Sequence, residues 1–290
     1  MNLRLLAATM MLGLAVTACG PKEDTAAPVA TPTVTFNHTR VPLGSPVDVT
    51  YRFQLAPGAK ISKNFRVMVH FLDADDEMMW TDDHNPPVPT SQWTAEKAVE
   101  YTRTVFVPFY PYVGDATVTI GLYDPDGADR LPLAGEATGQ RSYRVARLRL
   151  QPQTDNIFLA YVDGWNTPET VADNQLVEWQ WTKKDASIRF RNPKRNATFL
   201  LHYDGQPAMF DAPQTVSIYL RDAVVDTFQV TGTDESIRRV ALTAAQFGED
   251  EMATIRIVLD KTFVPALAKP GSKDDRELGI RVFHAFVEPQ

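Results

Sequence analysis

The 290 residues contain one cysteine, Cys19. No disulfide can form within the chain, and neither a zinc cluster of cysteines nor thiol chemistry is available after that position. Glycine is scarce, with 15 residues at no fixed period, which rules out a collagen-like chain. An excess of positive charge is missing too. Lys and Arg number 29 against 36 Asp and Glu, a formal net charge of −7, so no phosphate-neutralising surface is expected and nucleic acid is not an expected partner. The G-x-S-x-G elbow, H-E-x-x-H, the phosphate loop and the dinucleotide fingerprint are all absent. Their absence does not exclude an enzyme, because glycosidase carboxylates come together only in the fold. What is present is a globular composition, 44% apolar and 10% aromatic, which excludes a disordered chain. The 21 prolines punctuate many short segments.

Long apolar runs are confined to the beginning. Arg4 precedes a run from Leu5 to Val16, too short to span a bilayer as a mature helix, and residues 1–18 read as a secretory signal. The run closes on Val16-Thr17-Ala18-Cys19-Gly20, which resembles the bacterial lipobox, where a cysteine is lipidated and becomes the first mature residue. The alternative is an ordinary signal peptide with Cys19 near its cleavage point. Acylation of Cys19 implies membrane attachment, since two or more acyl chains make a stable anchor. Gly20 rather than Asp after the cysteine is compatible with passage to the outer membrane. The expected tether, residues 19–33, lacks periodicity and carries Val29 as its one large apolar residue up to Thr33.

From Val34 onward the pattern has period two. Residues 47–53, 65–71 and 118–122 alternate apolar and polar, as half-buried antiparallel strands do. Turn clusters lie between them at Ala56-Pro57-Gly58, Asp73-Ala74-Asp75-Asp76 and Asp124-Pro125-Asp126-Gly127. Further strands are readable at 143–150, 157–161, 176–181, 186–191, 197–202, 214–220, 224–230, 237–241, 253–259 and 279–287. A short helical turn at 243–247 is stopped by Gly248. The fold class expected is all-β, two tandem antiparallel β-sandwiches of the immunoglobulin or jelly-roll kind, at 34–150 and 155–290. A single barrel of the full length is the second reading, and it would need more even strand spacing.

Residues 65–133 carry a spaced series: Phe71-Leu72-Asp73-Ala74-Asp75, Asp82-Asp83-His84-Asn85-Pro86-Pro87, Pro89-Thr90-Ser91-Gln92-Trp93, Gly121-Leu122-Tyr123-Asp124 and Arg130-Leu131-Pro132-Leu133. This series is similar to extracytoplasmic β-sandwich domains attached to some bacterial membrane glycosyltransferases. Gly164-Trp165 with Glu169, Trp179-Gln180-Trp181-Thr182, Thr262 to Ala266 and Asp275 to Ile280 resemble a second sandwich type found beside enzymes of surface-polysaccharide assembly. The resemblance implies a surface-polysaccharide setting. It implies no catalytic residue and no cofactor.

Several clusters invite a chemical reading. Asp82, Asp83 and His84 could bind a metal or act as acid and base, but adjacent residues of an extended segment face opposite ways. The bland alternative is a loop whose aspartates bond nearby amides. Asp73 to Met78 begins like a calcium loop and lacks the glycine and glutamate that such a loop needs, so it reads as a hairpin turn. His38, His70, His202 and His284 stand at no ligand spacing, and no metal site is expected. Arg276 either pins the start of the last strand through a bidentate ion pair or grips an anionic sugar or phosphate. Trp93, Tyr110, Tyr112, Trp165, Trp179 and Trp181 could offer flat platforms to sugar rings. Trp179 and Trp181 share a face that also suits a core. Trp165 with Asn166, and Tyr110 with Tyr112 around Pro111, stand in turn-like segments and are the expected glycan contacts.

The function expected is that of a non-catalytic, lipid-anchored envelope protein, in or facing the outer membrane, that binds or organises a surface glycan or its assembly machinery. A structural adaptor docking a protein partner is the second reading, and a cryptic carbohydrate-active enzyme using Asp82, Asp83 or Glu169 the third. Exposed aromatics favour the first, while carboxylates converging in a cleft favour the third.

Overall fold

The computed structural model describes residues 26–153, 156–171 and 174–290, with 174–176 as backbone alone. The signal segment 1–18 and Cys19 lie outside the described residues. No helix among those described is long and apolar enough to cross a membrane.

The first half folds as β1 (Ala30–Phe36), β2 (Arg40–Pro42), β3 (Pro46–Leu55), β4 (Arg66–Leu72), β5 (Met78–Thr81), β6 (Val99–Phe106), β7 (Asp115–Tyr123), β8 (Glu136–Gly139) and β9 (Ser142–Gln151). One sheet runs β1-β3-β6 and its partner β2-β9-β7-β4-β5, with β8 added to β9. Period two explains why these sheets stack. Val47, Val49, Tyr51, Phe53 and Leu55 of β3 meet Val67, Val69 and Phe71 of β4 and Val118, Ile120 and Leu122 of β7 in one buried core. The intervening Asp48, Thr50, Arg52 and Gln54 face outward, so each strand presents one dry and one wet face.

The second half contributes β10 (Leu159–Tyr161), β11 (Glu169–Val171), β12 (Asn174–Trp181), β13 (Asp185–Arg191), β14 (Ala197–Asp204), β15 (Gln214–Leu220), β16 (Ala223–Val230), β17 (Ser236–Leu242), β18 (Met252–Leu259) and β19 (Arg281–Pro289). They form two five-stranded sheets, β10-β13-β18-β15-β16 and β11-β12-β19-β14-β17. Ile188, Phe190, Phe199, Leu201, Val216, Ile218, Ile255 and Ile257 fill the core between them. The helical turn α1 (Ala244–Phe247) carries a full capping box: Thr243 accepts from the Gln246 amide, the Gln246 side chain bonds back, and Gly248 ends it at φ 67°.

The chain is therefore all-β and built of sandwiches, as its periodicity implied. Two details differ from that expectation. The pairing of β2 with β9 is parallel, whereas antiparallel pairing was expected throughout. The tether ends before residue 33, because β1 starts at Ala30 and pairs Thr31 with Gln54 and Thr33 with Arg52. Val29 N–H donates to Pro132 O at 2.9 Å and Ala30 is 1% exposed. Alternating threonines at 31, 33 and 35 form a β-branched edge strand, while Pro28 and Pro32 made the segment read as a linker.

Candidate functional site: a cleft between the sandwiches

The edges of β5 and β6 lie at the open side of the first sandwich, one from each sheet. Asp82, which follows β5, joins them. Its carboxylate is 9% exposed and accepts from the Arg103 guanidinium of β6, Nη2 to Oδ1 at 2.8 Å and Nε to Oδ2 at 3.0 Å, and from Tyr51 Oη at 2.8 Å. His84, 5% exposed, continues the network: Nε2 lies 2.8 Å from Tyr101 Oη and Nδ1 2.6 Å from the Asp82 carbonyl. Burial pushes the Tyr51 and Tyr101 phenols well above their ordinary range and, outweighing the carboxylate beside it, lowers the His84 imidazole.

Facing this edge is the outer side of β12, β19 and β14. On β14, Phe199, Leu201 and Tyr203 point into the core, which leaves His202 on the opposite face. The register of β19 against β14 shifts between His202 and Tyr203. That β-bulge gives β19 one extra residue, so Phe283 and His284 both lie outside the core set while Val282, Ala285 and Val287 belong to it. Phe106, at the end of β6, stacks on His284 at 4.6 Å and 11° and is parallel to His202 at 5.7 Å. His202 Nδ1 lies 3.4 Å from His284 Nδ1, and its Nε2 lies 2.9 Å from Glu235 Oε2. Burial, then the neighbouring His202, lowers His284 to about 4, and the His202 contact pulls Glu235 below the usual carboxylate range. Arg239 of β17 reaches back to Asp48 and to Thr104 Oγ1.

Between these two surfaces is a cleft of about 780 Å³. Trp80, Phe106 and Phe283 give it aromatic walls, and Asp82, Arg103, Thr102, Thr104, Glu178 and Glu235 give it polar ones. Trp80 is 8% exposed, stacks on Phe71 at 4.3 Å, and has no hydrogen-bond partner for its indole N–H. A smaller groove of about 380 Å³ continues from it, sharing Pro108, Glu178, Phe283 and His284.

The expected contact residues Trp165, Asn166, Tyr110 and Tyr112 line neither the cleft nor the adjoining groove. Trp165 is half-buried against the second core, edge-on to Tyr161 at 4.5 Å, and its indole donates to Ser187 O at 2.8 Å. The reason is Gly164, at φ 77°, where an added Cβ would fall 1.8 Å from Asp185 O. This close approach presses the turn onto β13 and turns the ring inward rather than to solvent. Asn166 is a staple: its amide N–H₂ donates to Glu277 O at 2.9 Å, and its backbone N–H donates to Trp181 O. Tyr110 and Tyr112 are half-buried against the first core, and the Tyr112 hydroxyl donates to Asp115 O. Trp93 is 5% exposed, its N–H given to Val88 O. Trp181 belongs to a small cluster with Phe263 and Leu278, against which Trp179 packs. Trp165, Asn166, Tyr110 and Tyr112 are thus distributed over two sandwiches and form no common face of free rings.

Of the polar candidates, Asp83 points away from Asp82, its Oδ1 accepting from Val69 N–H. Glu169 accepts from Arg276 at 2.7 Å, and Arg276 also chelates Asp274, which holds that carboxyl down at about 2. Asp73 Oδ1 accepts from the amides of Asp75 and Glu77 and closes the β4–β5 turn. Sequence reasoning missed Arg103, Phe106 and Phe283. Tyr101-Thr102-Arg103-Thr104-Val105 carries only a broken signal, since Arg103 stands between Tyr101 and Val105 on one face, and the bulge at Phe283 and His284 has none.

The sequence matches no family model and no curated protein. Among solved structures, similarity extends to the CBM36-1 domain of a multidomain xylanase from the hindgut metagenome of Trinervitermes trinervoides, at 8% identity and TM-score 0.28 over 47% of this chain and 98% of that one. The CBM22-1–CBM22-2 tandem of Paenibacillus barcinonensis Xyn10C is similar at 12% identity and TM-score 0.26, over 86% of this chain and 79% of that one. A Bacteroides uniformis β-glucuronidase is similar at 11% identity and TM-score 0.30, over 89% of this chain and 30% of that one. The first two are carbohydrate-binding module domains.

Proposed function

We propose that this chain is a non-catalytic, lipid-anchored envelope protein that binds a carbohydrate in the cleft between its sandwiches. The observation that carries this reading is the mixed lining of that cleft. A sugar ring offers apolar C–H faces and a rim of hydroxyls, and Trp80, Phe106 and Phe283 supply apolar faces while Asp82, Arg103, Thr102, Thr104 and Glu178 supply the rim's partners. Absence of catalysis is supported by the state of the acids. Asp82 is chelated by Arg103, and Glu235 is held below the ordinary range by His202, the reverse of the raised pKa a general acid needs. Anchoring rests on Cys19 and the apolar run before it.

The test is binding of the detergent-solubilised full chain to an array of bacterial surface polysaccharides. Binding weakened at least tenfold by Phe283→Ala and unchanged by Tyr112→Phe supports the cleft. Binding to no glycan, or binding indifferent to Phe283→Ala, contradicts it. A docking role for a protein partner is favoured by one observation, the adjoining groove, whose Phe109 and Phe158 are 60% and 78% exposed. Crosslinked protein partners lost with Phe158→Asp, alongside glycan silence, would establish that second reading.

A further inference from the structure

Two histidines at the wall of the cleft face one another in a way that the carbohydrate reading leaves unused. His202 and His284 stand 82 positions apart and are brought together by the register of β14 against β19. Their rings are parallel to within 7°, with centres 5.7 Å apart and Nδ1 atoms 3.4 Å apart. The difference between those separations is the sum of two centre-to-nitrogen radii. Both Nδ1 atoms therefore lie on the line joining the ring centres, each in-plane axis aimed at the other. Their spacing is wider than a well-formed hydrogen bond. On the far side of His202, Nε2 lies 2.9 Å from the Glu235 carboxylate. A carboxylate accepts, so Nε2 carries the proton and the Nδ1 lone pair points toward His284. A carboxylate behind an imidazole is the arrangement that orients a histidine for a metal ion.

We infer that His202 and His284 bind a two-coordinate copper(I) ion between their Nδ1 atoms, whether or not the cleft also holds a sugar. Coordination number decides the metal. Among the described residues no group of three His, Cys, Asp or Glu side chains is placed to hold an ion. Even an open zinc site keeps three protein ligands, and calcium takes a shell of oxygens, so two imidazoles serve neither. A linear pair of nitrogens suits a closed-shell monovalent ion, and imidazole is a copper ligand. A single positive charge also costs least to enclose. The surroundings fit that charge. Phe106, from the first sandwich, lies parallel to both imidazoles and 5.7 and 4.6 Å from their centres, which puts its ring face within cation–π reach of the gap. Seating the ion widens the gap by a fraction of an ångström, which a small rotation of the His202 side chain at the cleft wall supplies.

The experiment is an anaerobic titration of the full chain carrying Cys19→Ser, which removes its one thiol, with Cu(I) offered on a chromophoric chelator. One Cu(I) per chain is expected to leave the chelator, and X-ray absorption of the product to show two nitrogen neighbours and no sulfur. His202→Gln and His284→Phe, the second keeping a ring against Phe106, are each expected to abolish that transfer, and Glu235→Gln to weaken it about tenfold. A second reading needs no histidine variant: Ag(I), a redox-inert probe, is expected to shift the Nδ1 resonances of two histidines and no others in nitrogen-15 spectra. No transfer of Cu(I), sulfur neighbours in the absorption spectrum, Ag(I) shifts at other histidines, or transfer unchanged in both histidine variants overturns the inference. Zn(II) held by the same pair as tightly as Cu(I) overturns the assignment to a monovalent ion.

Discussion

At Asp82 a buried carboxylate accepts from two partners on the opposing sheet, Tyr51 of β3 and Arg103 of β6. Removing the guanidinium leaves an uncompensated charge where water has little access, so Arg103→Ala is expected to lower stability by about 2–3 kcal/mol. The loss is held below that of a fully buried pair because the Arg103 side chain is 40% exposed. Chemical denaturation measures it, and a loss under about 0.5 kcal/mol would mean that the pair is ornamental. Trp165 is expected to behave as a structural residue. Trp165→Ala removes a half-buried ring and leaves Ser187 O without its donor, costing about 2 kcal/mol, while polysaccharide affinity stays within twofold. A loss of affinity without a loss of stability would restore Trp165 as a contact. Its residue type was legible as a candidate from the Gly-Trp-Asn turn; its direction was not, because that depends on how close Gly164 comes to β13.

Strands were readable wherever one face is apolar without interruption. β3, β4 and β13–β18 all show it, with bounds that agree with the periodicity to within two residues, while β7 starts three residues before its alternation at 118–122. β6 escaped notice because threonines fill its outer face and Arg103 occupies an inward position, which breaks the apolar alternation that betrays a strand. The bulge in β19 is equally silent in sequence, yet it is what puts Phe283 and His284 on the outer face together. That placement has a pH consequence. His284 is packed by His202 on β14 and Phe106 on β6, with Glu235 beyond His202, and it is neutral in the fold down to about pH 4. The unfolded imidazole binds its proton near pH 6.5, so the contribution is complete above that pH and lost as pH falls toward 4, roughly 3 kcal/mol in all. Unfolding curves at pH 7, 5.5 and 4.5 are expected to show this loss, reduced in His284→Phe. An identical pH slope in the variant would assign the acid sensitivity to other groups.

Over the whole molecule, the two cores draw on separate stretches, 30–150 and 188–287, and the candidate site is built mostly from the surfaces they leave outward, with Trp80 reaching it from the first core. That is why the site was illegible while the fold was not. Strand type depends on neighbours in sequence; the cleft depends on Phe106 meeting His284 across 178 positions. The proposed anchor is the reverse case, read from the sequence alone. Cys19→Ser is expected to abolish acyl labelling and to release the protein from the membrane fraction, and retention in membranes without label would refute lipid anchoring. The most direct test of the central claim is hydrogen exchange of the full chain with and without the polysaccharide it binds best. Protection is expected in β5, β6 and β19 on glycan addition, with the segments around Tyr110 and Trp165 unchanged. Protection confined to those two segments, with β5, β6 and β19 unaltered, would contradict a sugar site between the sandwiches.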